Sequence, residues 1–123
     1  MPTSADLLGT WRVIGFSEWS RDGVERHPLG HNPVGYAIFD AAGRIFIQLG
    51  KSPGRGTPAE DVAGSFIAYF GTFEVKGDTL IVAIESGNEA HDVATTQTRT
   101  VILDGDALSL GIPGQFMASL RRA

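Results

Sequence analysis

Apolar residues along this chain fall into short segments in which apolar and polar positions largely alternate, and small turn-forming residues separate the segments. Residues 34–39 and 44–49 form one pair of segments, joined across Asp40-Ala41-Ala42-Gly43. Lys76-Gly77-Asp78 and Asp104-Gly105-Asp106 join two further pairs. Glycine and aspartate between alternating segments are typical of β-hairpins. The pattern therefore predicts an antiparallel β protein.

Eight strands are predicted, most of them beside their neighbour in sequence, which is the arrangement of an up-and-down barrel. They cover residues 10–19, 34–39, 44–49, 69–75, 79–85, 95–103, 107–110 and 115–122. The segment 27–33 contains Pro28 and Pro33, each of which lacks a backbone donor and restricts the residue before it. We therefore expect a long loop there.

One short helix is expected around residues 57–68. Thr57 has the side chain of an N-cap, Pro58 suits the first helical position, and Glu60 lies three residues after the cap. The rest of the chain carries no comparable helical pattern, so the predicted fold class is all-β.

Length and composition predict one globular domain over residues 1–123. The net charge of −4 opposes nucleic acid as a partner, because phosphate binding needs a basic surface. The absence of cysteine excludes disulfides and thiolate chemistry. The N-terminal residues lack the basic and apolar regions of a signal peptide, and no apolar run approaches the ~20 residues of a membrane span. We expect a cytoplasmic protein with no membrane partner.

The two ends of the sequence predict that the sheet closes on itself. Gly9-Thr10-Trp11 lies on the first strand and Leu120-Arg121-Arg122 on the last. This pairing of a Gly-x-Trp with an arginine on the final strand resembles the way in which small barrels of the lipocalin kind seal one end. The indole of Trp11 would form the floor, and the guanidinium of Arg122 would lie over its face.

The chain resembles the bacterial lipocalin-like domain family, a group of small barrels within the wider calycins. The resemblance is carried by the segments Leu7-Leu8-Gly9-Thr10-Trp11-Arg12, Pro33-Val34-Gly35-Tyr36, Gly43-Arg44, Gln48-Leu49, the stretch 68–78, Gln97-x-Arg99, the stretch 103–108, and Leu120-Arg121-Arg122. It implies an eight-stranded antiparallel up-and-down lipocalin-like barrel. Related barrels bind apolar small molecules or, in scattered cases, catalyse cyclisations and isomerisations.

The lumen of a small barrel is the expected site for one ligand, and two aromatic residues are candidates for its wall. Tyr69 and Phe73 share a face with Gly71 and Val75, opposite a face that carries charges. The alternative is that Phe73 belongs to the packed core, as most strand aromatics do.

Four polar side chains on otherwise apolar strands are further candidates. Tyr36 and Gln48 would bind a ligand, or else form a hydrogen bond with each other or with the backbone. Gln97 and Arg99 share a face, and Glu85 lies on the preceding strand. An Arg99–Glu85 pair would anchor a ligand inside the barrel, or would be a solvated pair on its outer face.

Neither a metal nor a cofactor is expected. His27 and His31 have i,i+4 spacing, but Pro28 and Gly30 remove the helical geometry that would make this spacing a ligand pair. His91 lies in a turn near Glu85, where it is either a general acid–base group or an exposed loop histidine.

Three hypotheses about function remain. The leading one is binding of a small apolar or amphipathic molecule by Tyr36, Gln48, Tyr69, Phe73, Gln97 and Arg99. The second is a cofactor-free cyclase, isomerase or dehydratase that uses Glu85 or His91 for proton transfer and Tyr36 or Arg99 to stabilise an oxyanion. The third is a dimeric interaction module with a filled interior. A homodimer is also expected, because residues 45–49 are apolar on both faces.

Overall fold

The computed structural model describes residues 1–52, 55–89 and 93–123. Their helices and strands follow one another as α1 (Ser4–Leu7), β1 (Gly9–Trp19), β2 (Glu25–Arg26), β3 (Val34–Phe39), β4 (Arg44–Gly50), α2 (Ala59–Ala63), β5 (Phe66–Lys76), β6 (Thr79–Gly87), β7 (Thr96–Asp104), β8 (Ala107–Ile112) and β9 (Phe116–Arg122).

The strands form a closed antiparallel barrel. From β3 to β9 each strand pairs with the next, β1 pairs with β3, and β9 returns to pair with β1. The eight strands β1 and β3–β9 make the ring, while β2 adds a short extension beside the second half of β1. The expected eight-stranded up-and-down barrel is therefore confirmed. Closure leaves the first and last strands with partners, which removes the open edges of the sheet.

The helix expected at 57–68 is shorter than predicted. Only the five residues Ala59–Ala63 are helical, and β5 begins at Phe66 rather than Tyr69. The reason is the pairing of residues 66–69 with β4, from Gly50↔Phe66 onward. This apolar, aromatic segment gains ladder hydrogen bonds and buried area in the sheet, which outweigh the helical signals upstream. Helix α1 and strand β2 were not predicted.

In the part of the chain that the structure describes, two β-bulges change the alternation of inward and outward side chains. In β1 the pairing with β9 shifts between Val13 and Gly15, so Val13 and Phe16 are both buried. In the β5–β6 pair, Gly71 lies opposite Ile84 while the preceding β5 residue lies opposite Ser86, which leaves Glu85 as the extra residue. A side chain at Gly71 would meet the Ala83 carbonyl of β6, so this glycine serves strand packing.

One end of the barrel is sealed by the indole of Trp11. The side chain is fully buried, and its Nε1 donates a hydrogen bond of 2.8 Å to the Leu7 carbonyl at the end of α1. Arg122 lies opposite Trp11 in the β1–β9 ladder, and its guanidinium carbon is 4.1 Å from the centre of the indole. The contact joins the first and last strands across the floor of the barrel.

The guanidinium of Arg122 also fixes the chain segment outside the floor. Its Nη1 and Nη2 donate hydrogen bonds of 3.0 Å to the carbonyls of Leu8 and Asp6, and its Nε lies 3.6 Å from Asp106 Oδ1. Hydrogen bonds from the backbone and side chain of Thr3 lower the pKa of the Asp6 carboxyl. Arg122 thereby holds α1 over the closed end.

Apolar side chains also lie on the outside of the barrel. Ile38, Phe46 and Phe70 are neighbours across β3, β4 and β5, and each is about two-fifths exposed. Beside this row, the guanidinium carbon of Arg12 lies 5.6 Å from the ring centre of Tyr36. Apolar side chains therefore lie on both faces of this part of the sheet.

Among the helices formed by the described residues, none has the length and apolar character needed to cross a membrane.

We expect Arg122→Ala to lower the free energy of unfolding by about 2–4 kcal/mol, because it removes a cation–π contact and two hydrogen bonds of a charged donor. Urea unfolding measures the effect. The matched control is Arg121→Ala, whose exposed side chain should change stability by no more than about 0.5 kcal/mol. Equal stability of the two variants would contradict the role given to Arg122.

Candidate functional site

A cavity of about 390 Å³, partly open to solvent, lies in the barrel toward the end opposite Trp11. A volume of this size is far above the roughly 30 Å³ taken up by one water and is within the range of small-molecule sites. Its apolar lining is Phe16, Ala37, Ile47, Leu49, Ile67, Leu80, Leu110, Phe116, Ala118 and Leu120, and its polar lining is Glu18, Tyr69, Glu89, Gln97 and Arg99.

The apolar lining follows from strand alternation. Ile47 and Leu49 on β4, and Ala118 and Leu120 on β9, are buried while the residues between them are less so. The side chains at this end leave space between them, whereas Phe39 and Phe73 fill the interior nearer the closed end with an edge-to-face contact of 4.9 Å. The barrel is thus packed at one end and hollow at the other.

Arg99 brings a positive charge to the wall of this cavity. The side chain is half-buried on β7, its Nη2 donates a 2.6 Å hydrogen bond to Gln97 Oε1, and its Nη1 donates a 2.8 Å hydrogen bond to the Thr98 carbonyl. Its guanidinium carbon lies 5.0 Å from the ring centre of Phe116. These three contacts hold the guanidinium plane in one orientation.

Aromatic rings line two sides of the cavity. Phe116 and Phe16 stack at 6.2 Å on the adjacent strands β9 and β1. Tyr69 lines the cavity from β5, which lies four strands away from β9 in either direction around the ring. The phenol and the two phenylalanine rings therefore occupy facing walls, with the cavity between them.

Two predicted site residues lie outside the cavity. Tyr36 and Gln48 are register partners on the outer face of β3 and β4, and both are exposed. The prediction that they line the lumen is wrong. The cause is the exposed apolar row beside them: with Ile38 and Phe46 pointing outward, hydrophobicity could not identify the inner face of these strands.

Two further predictions are corrected. Phe73 is buried against Phe39 in the packed end and does not line the cavity, so the core alternative is the correct one. Glu85 is exposed at the β6 bulge and is not in the lining, so it forms no internal pair with Arg99. His91 lies outside the described residues.

The structure brings three of the predicted residues, Tyr69, Gln97 and Arg99, to the cavity wall. That they bind a ligand remains a prediction. Sequence reasoning missed the carboxylates of Glu18 and Glu89. If inward and outward side chains alternated regularly along β1 from Trp11, Ser17 would point inward. The bulge shifts this alternation by one residue, so Phe16 and Glu18 point inward instead. Gly15, a glycine within a strand, was the available indication of that bulge.

His27 and His31 lie together although no helix holds them. Their ring centres are 4.5 Å apart, and His27 Nε2 is 3.9 Å from Glu25 Oε1, which also accepts a 2.8 Å hydrogen bond from Ser17 Oγ. Within residues 1–52, 55–89 and 93–123, no group of three or more His, Cys, Asp or Glu side chains has the arrangement of a metal site.

A family model described as a lipocalin-like domain matches residues 8–120. A lipocalin-like protein from Bacteroides uniformis has a TM-score of 0.60 at 18% identity, covering 96% of this chain and 99% of that one. An uncharacterized protein from Bacteroides eggerthii has a TM-score of 0.57 at 14% identity, covering 96% and 100%. These likenesses concern the fold alone. Among curated proteins, none matches the chain.

We expect Arg99→Met to keep the free energy of unfolding within about 1 kcal/mol of the parent chain. Methionine preserves much of the apolar packing on Phe116 and removes a charge from a mainly apolar wall, which offsets the lost hydrogen bonds. Arg122→Met, measured in the same urea titration, should be clearly less stable. A large loss of stability in Arg99→Met would show that Arg99 has a structural role instead.

Proposed function

Because the chain belongs to the lipocalin-like domain family, we propose that it binds a small, mainly apolar molecule inside its barrel. The observation that carries the proposal is the cavity of about 390 Å³, whose lining by described residues is apolar except for five side chains. Removing an apolar ligand from water into such a space is favourable in proportion to the area buried.

The polar side chains would orient the ligand. Gln97 and Arg99 are joined by a hydrogen bond on β7, and Tyr69 lines the cavity from β5, two strands away around the ring. A ligand with an apolar body and one oxygen-bearing group fits this arrangement, since few polar contacts in an apolar site are enough to give selectivity. Tyr69, Gln97 and Arg99 are therefore the proposed ligand-binding residues.

The alternatives have less support. Glu85 and Tyr36, two of the groups considered for catalysis, are exposed and outside the cavity lining. An interaction module with a filled interior is opposed by the size of the cavity. The homodimer stays a prediction, and the exposed row of Ile38, Phe46 and Phe70 is the face it would use.

The direct test of the proposed function is to fill the cavity. We expect the neutral dye N-phenyl-1-naphthylamine to bind the parent protein with increased fluorescence. Ala118→Phe should weaken this binding by about tenfold or more, because its side chain lies in the cavity wall. Ala83→Phe is the matched control, since Ala83 is exposed on β6, and its affinity should be unchanged.

The same titration with Ile67→Trp guards against misfolding of a single variant, because Ile67 lines the cavity from another strand. Urea unfolding identifies variants that remain folded. Unchanged dye affinity in both folded cavity variants, or equal loss in Ala83→Phe, would contradict binding in the barrel. Native mass spectrometry of freshly purified protein is the complementary search for a retained molecule.

Outward polar residues should not contribute to this binding. Tyr36→Phe and Gln48→Ala alter side chains on the outer face, so we expect dye affinity to stay within about twofold of the parent. A loss as large as that of Ala118→Phe would place the ligand on the outer surface of β3 and β4 instead.

A further inference from the structure

We propose that the molecule bound in the cavity is an acid with a single carboxylate, and that this carboxylate binds the guanidinium of Arg99. The inference rests on the proposed function and adds the chemical class of the ligand. It follows from the unused donors of Arg99, from the position of the other charges in the lining, and from the direction of the aromatic wall.

Arg99 retains donors that can hold a carboxylate. A guanidinium has five N–H groups, and the described contacts use one on Nη1 and one on Nη2. Among the described residues, no carboxylate lies within 4.0 Å of its nitrogens. The remaining N–H groups belong to a rigid fork that matches the two oxygens of a carboxylate. The guanidinium therefore keeps N–H groups that can donate to a ligand carboxylate.

The contrast with Arg122 shows why the unused donors matter. Arg122 also stacks on an aromatic ring, but its Nη1 and Nη2 bind two backbone carbonyls and its Nε faces Asp106. The guanidinium of Arg122 therefore stabilises the fold through contacts within the protein. Arg99 faces a cavity instead, where a positive charge is stabilised less by water than at the open surface and attracts an anion more strongly.

The carboxylates of Glu18 and Glu89 limit the charge of the ligand. Both residues line the same cavity, and both are exposed. Water and salt screen their repulsion of one negative charge held by Arg99. Arg99 is the one cationic side chain among the described lining residues, so the second charge of a dianion such as a phosphate monoester would lie near two carboxylates with no cationic partner among those residues. The lining therefore favours a monoanion.

The cavity wall next to Arg99 is apolar and has room for the apolar part of the ligand. Phe116 contacts the Arg99 guanidinium on one side and stacks with Phe16 at 6.2 Å on the other. Both rings line the cavity, and Ala118 and Leu120 continue the lining on β9. A carboxylate on Arg99 thus places the attached apolar body along this wall, toward the packed end of the barrel.

The test compares four compounds that share one apolar body and differ in the polar group. They are 4-butylbenzoic acid, its methyl ester, 4-butylbenzyl alcohol and 4-butylbenzyl phosphate, each used to displace N-phenyl-1-naphthylamine at neutral pH. For the parent protein we expect the acid to bind about tenfold or more tightly than the ester and the alcohol, and more tightly than the phosphate.

Variants assign the preference to Arg99. In Arg99→Gln the acid-to-alcohol ratio of affinities should fall to about one, and Arg99→Lys should give an intermediate ratio because it keeps the charge without the fork. Arg12→Gln is the matched control: Arg12 also lies over an aromatic ring, but on the outer face, so its ratio should equal that of the parent. Glu18→Gln should leave the ratio unchanged or raise it.

Each remaining result overturns the inference. Equal affinities of the acid and the alcohol for the parent, with dye binding intact, would reject the carboxylate and leave the proposed function standing. If the phosphate bound more tightly than the acid, the proposal that the ligand carries a single negative charge would be wrong. If Arg99→Gln kept the acid-to-alcohol ratio of affinities of the parent, Arg99 would not be the residue that binds the carboxylate. Failure of every compound and of the dye to bind would remove the proposed function and this inference together.

Discussion

Pairing between the first and last strands of the barrel is the constraint on which the rest of the structure depends. The β1–β9 ladder places Trp11 beside Arg122, and the indole–guanidinium contact joins strands from opposite ends of the sequence. Without this ladder the sheet would have two open edges and no enclosed interior. Because Trp11 and Arg122 also donate hydrogen bonds to the carbonyls of Leu7 and Leu8, one end of the barrel is sealed, and the cavity lies toward the other end.

Within the described residues, three arginines lie over aromatic rings, and the surroundings of each guanidinium decide its role. Arg122 over Trp11 has its donors occupied by the backbone and joins the chain ends. Arg12 over Tyr36 lies in solvent on the outer face, where such a contact adds little. Arg99 over Phe116 borders the cavity with donors to spare. The residue types are alike in the three contacts. The burial of each guanidinium, and the number of its N–H groups still able to donate, distinguish a structural arginine from a candidate binding arginine.

The β1 bulge links the sealed end to the candidate site. Before it, Trp11 and Val13 point inward and fill the floor; after it, Phe16 and Glu18 point inward and line the cavity. The extra residue in β1 thus turns Phe16 toward the cavity beside Phe116, and it also places the carboxylate of Glu18 in the cavity lining. A regular strand would have placed Ser17 there instead, and the cavity would have had a different chemistry.

The sequence by itself determined the β class, the hairpins and the closure, because turn residues and the terminal Trp11 and Arg122 act through local or strongly specific contacts. It also identified Arg99 and Tyr69 as candidate ligand-binding residues. Only the tertiary structure decided which faces point inward. Tyr36 and Gln48 were misplaced because their strands are apolar on both sides, and the helix end was misplaced because pairing with β4 outweighed local propensity. Both outcomes depend on contacts between distant segments, which no local pattern of residues encodes.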